Sequence, residues 1–207
     1  MNIQAGYTDS AGRTSSRFVT LGTSRILTGT STKLSNSNVR SLIVGTRPTN
    51  VNALYLLITA AGITQGGSTS KAPCASYCGW HTFTTLAGVG TVKYGWVGDA
   101  SSSSTCMSSC AAQLTSPNPD GGGGGGGGAD AMISVIAHEI VETVTDPTLS
   151  TWYDTTGAEN ADKCSWTFGA TTMSTNGALS NVAFGNRSYL VQRNWANRAP
   201  SGGCGMS

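Results

Sequence analysis

Apolar residues fall into a few short runs along an otherwise polar chain. Val51 to Ala61 (VNALYLLITAA) is the most apolar run. It follows the turn-prone Arg47-Pro48-Thr49-Asn50 and predicts a buried strand. Trp80 to Thr85 (WHTFTT) and Thr91 to Gly98 (TVKYGWVG) alternate with a period of two and predict two more strands. Val39 to Gly45 (VRSLIVG) has a strand-like apolar centre, and Arg187 to Gln192 (RSYLVQ) predicts a late strand. The period changes between Asp130 and Thr145 (DAMISVIAHEIVETVT). There Ile133, Ile136, Ala137, Ile140 and Val144 recur at helical spacing, which predicts one helix with that face buried. Asp130 is its expected N-cap. Asp146-Pro147 is its expected stop, because a residue before Pro is pushed out of the helical region. Strands followed by one long helix predict an α+β fold, with a mixed or antiparallel sheet, one central helix and many loops.

Residues 1–38 carry only Phe18-Val19 and Ile26-Leu27 as apolar islands among Ser, Thr and Gly. They read as an irregular or strand-bearing N-terminal arm. The islands suit strand addition to a neighbour, so self-assembly through the arm is expected. The run Gly121 to Gly128 is expected to be a mobile surface spacer. It is not a phosphate-binding loop, since no Lys-Ser or Lys-Thr follows it.

Composition narrows the class. Gly, Ser and Thr make up 82 of 207 residues, charged residues only 11%, and the net charge is +2. A nucleic-acid binder needs clustered Lys and Arg to neutralise phosphates, so that class is excluded. No apolar run approaches the roughly 18 residues of a membrane span. A hydrophobic content of 38% still supports a core. Met1 to Ser16 is polar and lacks the apolar centre of a signal peptide, so a secreted chain would be mature or truncated here. Asn186-Arg187-Ser188 makes Asn186 a candidate glycosylation site.

The six cysteines, Cys74, Cys78, Cys106, Cys110, Cys164 and Cys204, include two C-x3-C pairs. The even count and low charge favour three disulfides in a secreted protein over a cysteine–zinc site, whose usual spacing is C-x2-C. Six cysteines allow fifteen pairings. The shortest loops come from Cys74–Cys78 and Cys106–Cys110, which leaves Cys164–Cys204.

His138-Glu139-Ile140-Val141-Glu142 carries the candidate chemistry. On a helix His138 and Glu142 are one turn apart on one face. This is the geometry by which H-E-x-x-H holds zinc, with Glu in place of the second His. Glu139 then stands where a general base would act. Asp162 is the candidate third ligand and Glu159 its alternative, both returned after the turn at Pro147. Zinc is the expected ion, with calcium or manganese as alternatives. A solvated acidic helix face is the plainer explanation of the same pattern. The other histidine, His81, beside Trp80 on a strand, reads as a structural residue. Trp152, Tyr153 and Trp195 read as core or rim packing, or as the lining of a carbohydrate-binding cleft.

Taken together these stretches resemble the phosphate-induced protein / EXORDIUM-like family of secreted, cell-wall-associated proteins of plants, with relatives in microbes. The resemblance rests on Asn52-Ala-Leu-Tyr-Leu-Leu-Ile-Thr, Cys78-Gly-Trp-His-Thr-Phe, Lys93-Tyr-Gly-Trp-Val-Gly, Cys106 with Cys110, and Ala129 to Glu142. It continues through Asp146-Pro, Thr151-Trp-Tyr, Glu159-Asn-Ala-Asp-Lys-Cys164, and Arg187-Ser-Tyr-Leu-Val-Gln to Cys204. It spans about residues 50–204 and departs at the octaglycine run, which implies a division into an N-terminal arm, 1–49, and an EXORDIUM-like domain, 50–207. It implies an extracellular address, structural disulfides and cell-wall or matrix partners. Its helix motif looks like a degenerate zincin signature, and this chain keeps His138, Glu139 and Glu142. The resulting expectation is a secreted protein with a zincin-like metal site, extending to metal-dependent peptide hydrolysis. Its rivals are a structural or adhesive component of an extracellular matrix or filament, and a carbohydrate binder.

Overall fold

The computed structural model describes residues 3–8, 10–15, 19–29, 31–66, 73–121, 127–197 and 201–206. Phe18 and most of the glycine run, 122–126, lie outside the described residues. Three helices are described: α1 (Asn36–Gly45), α2 (Ser104–Cys110) and α3 (Gly128–Thr145). The strands are β1 (Lys33–Leu34), β2 (Leu54–Thr59), β3 (Thr64–Gln65), β4 (Gly79–Leu86) and β5 (Gly90–Gly98). Six short ones follow: β6 (Thr172–Met173), β7 (Leu179–Ser180), β8 (Val182–Phe184), β9 (Arg187–Tyr189), β10 (Asn194–Ala196) and β11 (Gly203–Gly205). The fold is α+β.

The main sheet has the order β2-β5-β4 and is mixed, with β2 parallel and β4 antiparallel to β5. Central β5 is the most buried strand, while the more apolar β2 lies at the edge and is mostly half-buried. Burial of a strand therefore follows its neighbours more than its own hydropathy. Alternation divides the side chains between two faces. Tyr94 and Trp96 pack with Val39 and Ile43 of α1 on one face. Val97 packs with Met132 and Val135 of α3 on the other. The sheet is thus held between two helices. Each large apolar side chain buried there stabilises the fold by about 1.5–3 kcal/mol.

The segment expected as a strand at Val39–Gly45 is helix α1. Its start is fixed by a capping box. The Ser35 hydroxyl accepts from Asn38 N–H at 3.1 Å, and the Asn38 side chain accepts from Ser35 N–H at 2.9 Å. With the first turn capped, Val39, Leu42 and Ile43 sit three and four residues apart and face the sheet. Leu34, Val39 and Ile43 therefore join the main core. Earlier in the chain, Leu21 and Ile26 are 96% and 93% exposed.

Helix α3 runs two residues further toward its N-terminus than expected. Gly127, with φ of 74°, is the N-cap, and Asp130 lies in the first turn. There Asp130 accepts from Asn118 Nδ2 at 2.8 Å and Arg187 Nη2 at 3.3 Å. The residues expected as its buried face are half-buried; Met132, Val135, Glu139, Val141 and Glu142 are buried instead. Gly127 and Gly128 are buried as well, so this end of the glycine run is not a spacer. A Cβ on Gly128 would stand 2.5 Å from Asp99 Oδ1 and 2.7 Å from Ser101 Cβ, so the helix can start there only as glycine.

All six cysteines form disulfides: Cys74–Cys106, Cys78–Cys110 and Cys164–Cys204. The third follows the shortest-loop scheme and the first two do not. Cys106 and Cys110 are one turn apart on α2, so both sulfurs point to one side of the helix. There they meet Cys74 and Cys78 of the turn before β4. Each of these two bridges spans 32 residues and stabilises by about 3–4 kcal/mol in the chain-entropy treatment. They fix the start of β4 beside α2.

Candidate metal centre

Helix α3 crosses the face of β4 and β5 opposite α1, and the contact is close because β4 begins at Gly79. A Cβ there would stand 2.8 Å from both Glu139 Oε1 and Val135 Cγ1, and 3.1 Å from Trp96 O. Two residues on, alternation turns His81 to the same face. His81 is opposite Gly95 in the register, and its side chain is 2% exposed. The structure brings it to Glu139 and Glu142, with Nδ1 3.4 Å from Glu139 Oε2 and 3.7 Å from Glu142 Oε2. Its Nε2 is 3.3 Å from the Asp146 carbonyl oxygen and 3.7 Å from Glu159 Oε1. His81 is thus a buried histidine with a partner at each ring nitrogen, and it stands beside the carboxylates of the motif helix.

The motif residues converge as helical spacing requires. His138 Nε2 is 3.0 Å from Glu142 Oε1 and 3.4 Å from Asp162 Oδ1. Asp162 begins a short 3-10 turn, Asp162–Cys164, tied down by Cys164–Cys204. The Asp162 N–H donates to Glu142 Oε1 at 3.1 Å, docking this turn on the helix. Before it, Glu159 N–H donates to Asp162 Oδ2 at 3.2 Å, while the Glu159 side chain turns toward His81. Of the two candidate third ligands, Asp162 stands beside His138 and Glu159 does not.

One atom from each of His138, Glu142 and Asp162 lies within 4.8 Å of the others, and the same is true of His81, Glu139 and Glu142. Donors around one tetrahedral zinc ion are about 3.4 Å apart, so both spacings suit a shared cation. Burial disfavours the charged forms, and the neighbours compete with it. For His138 burial pulls the pKa down, but Glu142, Asp162 and Glu139 raise it well above its ordinary value. His81 is raised in the same way by Glu139, Glu159 and Glu142 against burial. Burial raises Glu139 despite His81 and His138. Glu159 is pushed up to about 8, by burial first and then by the Glu142 charge. Asp162 is lowered, because His138 and the Glu159 N–H outweigh its burial. Among the described residues, the ion pairs of these four carboxylates are all with the two histidines.

The cluster lines a cavity of about 400 Å³, with His138, Glu142 and Asp162 on its wall beside Trp166. Trp166 is 45% exposed and holds a left-handed backbone, φ of 59°, which costs about 1–3 kcal/mol for such a residue. No sequence signal marked it. The aromatics considered for carbohydrate pack elsewhere. Trp152 meets Tyr7 edge-on at 4.8 Å, and both Trp152 and Trp195 pack on the Ile3–Tyr7–Ala196 cluster. Tyr153 is exposed. Asn186 lies in the turn joining β8 and β9.

The conserved region of phosphate-induced protein 1 matches residues 2–197. Protein EXORDIUM-like 3 of Arabidopsis thaliana is 34% identical over 191 residues, covering 80% of this chain and 55% of that protein. Protein EXORDIUM-like 5 of the same plant is 30% identical over 138 residues, covering 58% of this chain and 34% of that protein. The chain thus spans about half the length of the first relative and a third of the second. The matched region reaches residue 2, well before the stretch that carried the motif resemblance. No solved structure matches the chain.

Proposed function

The chain belongs to the phosphate-induced protein 1 family, and on that premise we propose an extracellular EXORDIUM-like protein that binds a divalent cation at His138, Glu142 and Asp162. The extracellular address is supported by the oxidised state of all six cysteines. No described helix is long and apolar enough to cross a membrane.

One observation carries the metal reading. An imidazole and two carboxylates from separate segments, α3 and the Asp162 turn, meet within 3.0–3.4 Å on a cavity wall. The helix supplies the rigid pair and the Cys164–Cys204 bridge anchors the third donor. Nitrogen with carboxylate donors suits zinc or manganese better than calcium, which takes oxygen ligands. A cation there would act as a Lewis acid toward a bound oxygen.

Peptide hydrolysis is the fuller version of this reading and the less supported one. It needs Glu139 as a free general base. Glu139 is instead 5% exposed and held 3.4 Å from His81 Nδ1. A second reading, a self-assembling matrix component, draws on the exposure of Leu21 and Ile26; its measure is the mass of the protein in solution.

The test is metal content after chelation and dialysis against zinc. Wild type is expected to retain zinc, and Glu142→Ala, still folded by circular dichroism, to retain none. A wild type that takes up no zinc overturns the proposal.

A further inference from the structure

Glu142 presents its two oxygens to two different histidines. Oε1 is 3.0 Å from His138 Nε2, and Oε2 is 3.7 Å from His81 Nδ1. From this we infer that His81, Glu139 and Glu142 form a second cation site, bridged to the first by the Glu142 carboxylate. The inference rests on the metal reading above and extends it from one ion to two.

The orientation of His81 is the independent observation. Its Nε2 faces a backbone carbonyl, Asp146 O, at 3.3 Å. A carbonyl only accepts, so Nε2 carries hydrogen. Nδ1 is then the ring nitrogen turned to the carboxylates, 3.4 Å from Glu139 Oε2 and 3.7 Å from Glu142 Oε2. Two carboxylate oxygens converging on one buried ring nitrogen call for positive charge between them, supplied by a proton in the metal-free protein and by a cation in the loaded one. Metal-bound histidines are held in this way, with the other ring nitrogen donating to a carbonyl or carboxylate. Glu139 then acts as a ligand of the second ion, which accounts for its burial against His81. Glu159 Oε1, buried and without a hydrogen-bond partner, faces the same space. With the carboxyls deprotonated on metal binding, Glu139, Glu142, Glu159 and Asp162 would sum to four negative charges, which two divalent cations balance. A carboxylate with one oxygen on each ion sets them about 3.5–4 Å apart, the spacing of two-metal sites.

The experiment measures zinc per chain by mass spectrometry of the dialysed protein, for wild type and His81→Asn. Two ions in wild type and one in His81→Asn are expected. One ion in both overturns the bridged pair and leaves the metal reading standing. None in wild type overturns both. Should His81→Asn fail to fold, cobalt-loaded wild type decides by electron paramagnetic resonance. A bridged pair gives a spin-coupled signal, and an isolated-ion signal at saturation overturns the inference.

Discussion

Stripped of metal, the protein should lose stability as the pH rises from 5 to 8. Glu159 is the main cause. Burial raises its carboxyl from 4.5 to about 8, with Glu142, Asp146 and Asp162 adding to the rise and His81 opposing it. Between those values the folded state binds a proton that the unfolded chain has released, so stability falls with rising pH. His81 and His138 act with the same sign. Both are raised on folding, so their contribution is present at low pH and lost as the pH passes their folded values. Asp162 is lowered; its contribution holds across this window and is lost only in stronger acid. Unscreened, the Glu159 shift would amount to several kcal/mol. Solvent in the open cavity screens it, and about 2 kcal/mol is a fair expectation. For a chain of this size that lowers Tm by roughly 4–8 °C. Bound zinc should reverse the slope, because its ligands bind only when deprotonated. Calorimetry of EDTA-treated and zinc-loaded protein across this range reads both slopes. A metal-free Tm that stays flat or climbs between pH 5 and 8 would refute the electrostatic account.

Two further variants test the packing beside the centre and the exposed N-terminal arm. Gly79→Ala should destabilise by about 1–3 kcal/mol and weaken zinc uptake, since the new methyl meets Glu139, Val135 and the Trp96 carbonyl. Thermal melts with zinc titration check this, and wild-type values would show that strand and helix can part at no cost. The double change Leu21→Ser, Ile26→Ser should convert any assembled wild-type protein to monomer, measured by light scattering. An unchanged mass would remove these residues from assembly.

Local signals made part of this molecule legible. Period-two alternation marked β4 and β5, and helical spacing with a Pro stop marked the end of α3. The same spacing put His138 and Glu142 together. Segment 39–45 misled because its apolar run suits a strand equally well, and what decides for helix is the Ser35–Asn38 cap just before it. The cysteine ladder stayed hidden because it depends on α2 lying beside the turn at Cys74–Cys78, a long-range fact. As a lone histidine on a strand, His81 carries no local sign of the carboxylates beside it. The alternation that turns Trp80 to one face and His81 to the other was readable, but not that α3 covers the second face.

The missing side chain at Gly79 carries a consequence for descent. Helix and strand stand at their present distance only because that position has no methyl group, and Glu139 occupies the space. A lineage that acquires a larger residue there must displace the glutamate or the helix. The two positions should therefore be inherited as a unit: relatives without the glycine are those expected to have lost the acidic residue at 139, and with it the means to hold His81 in place.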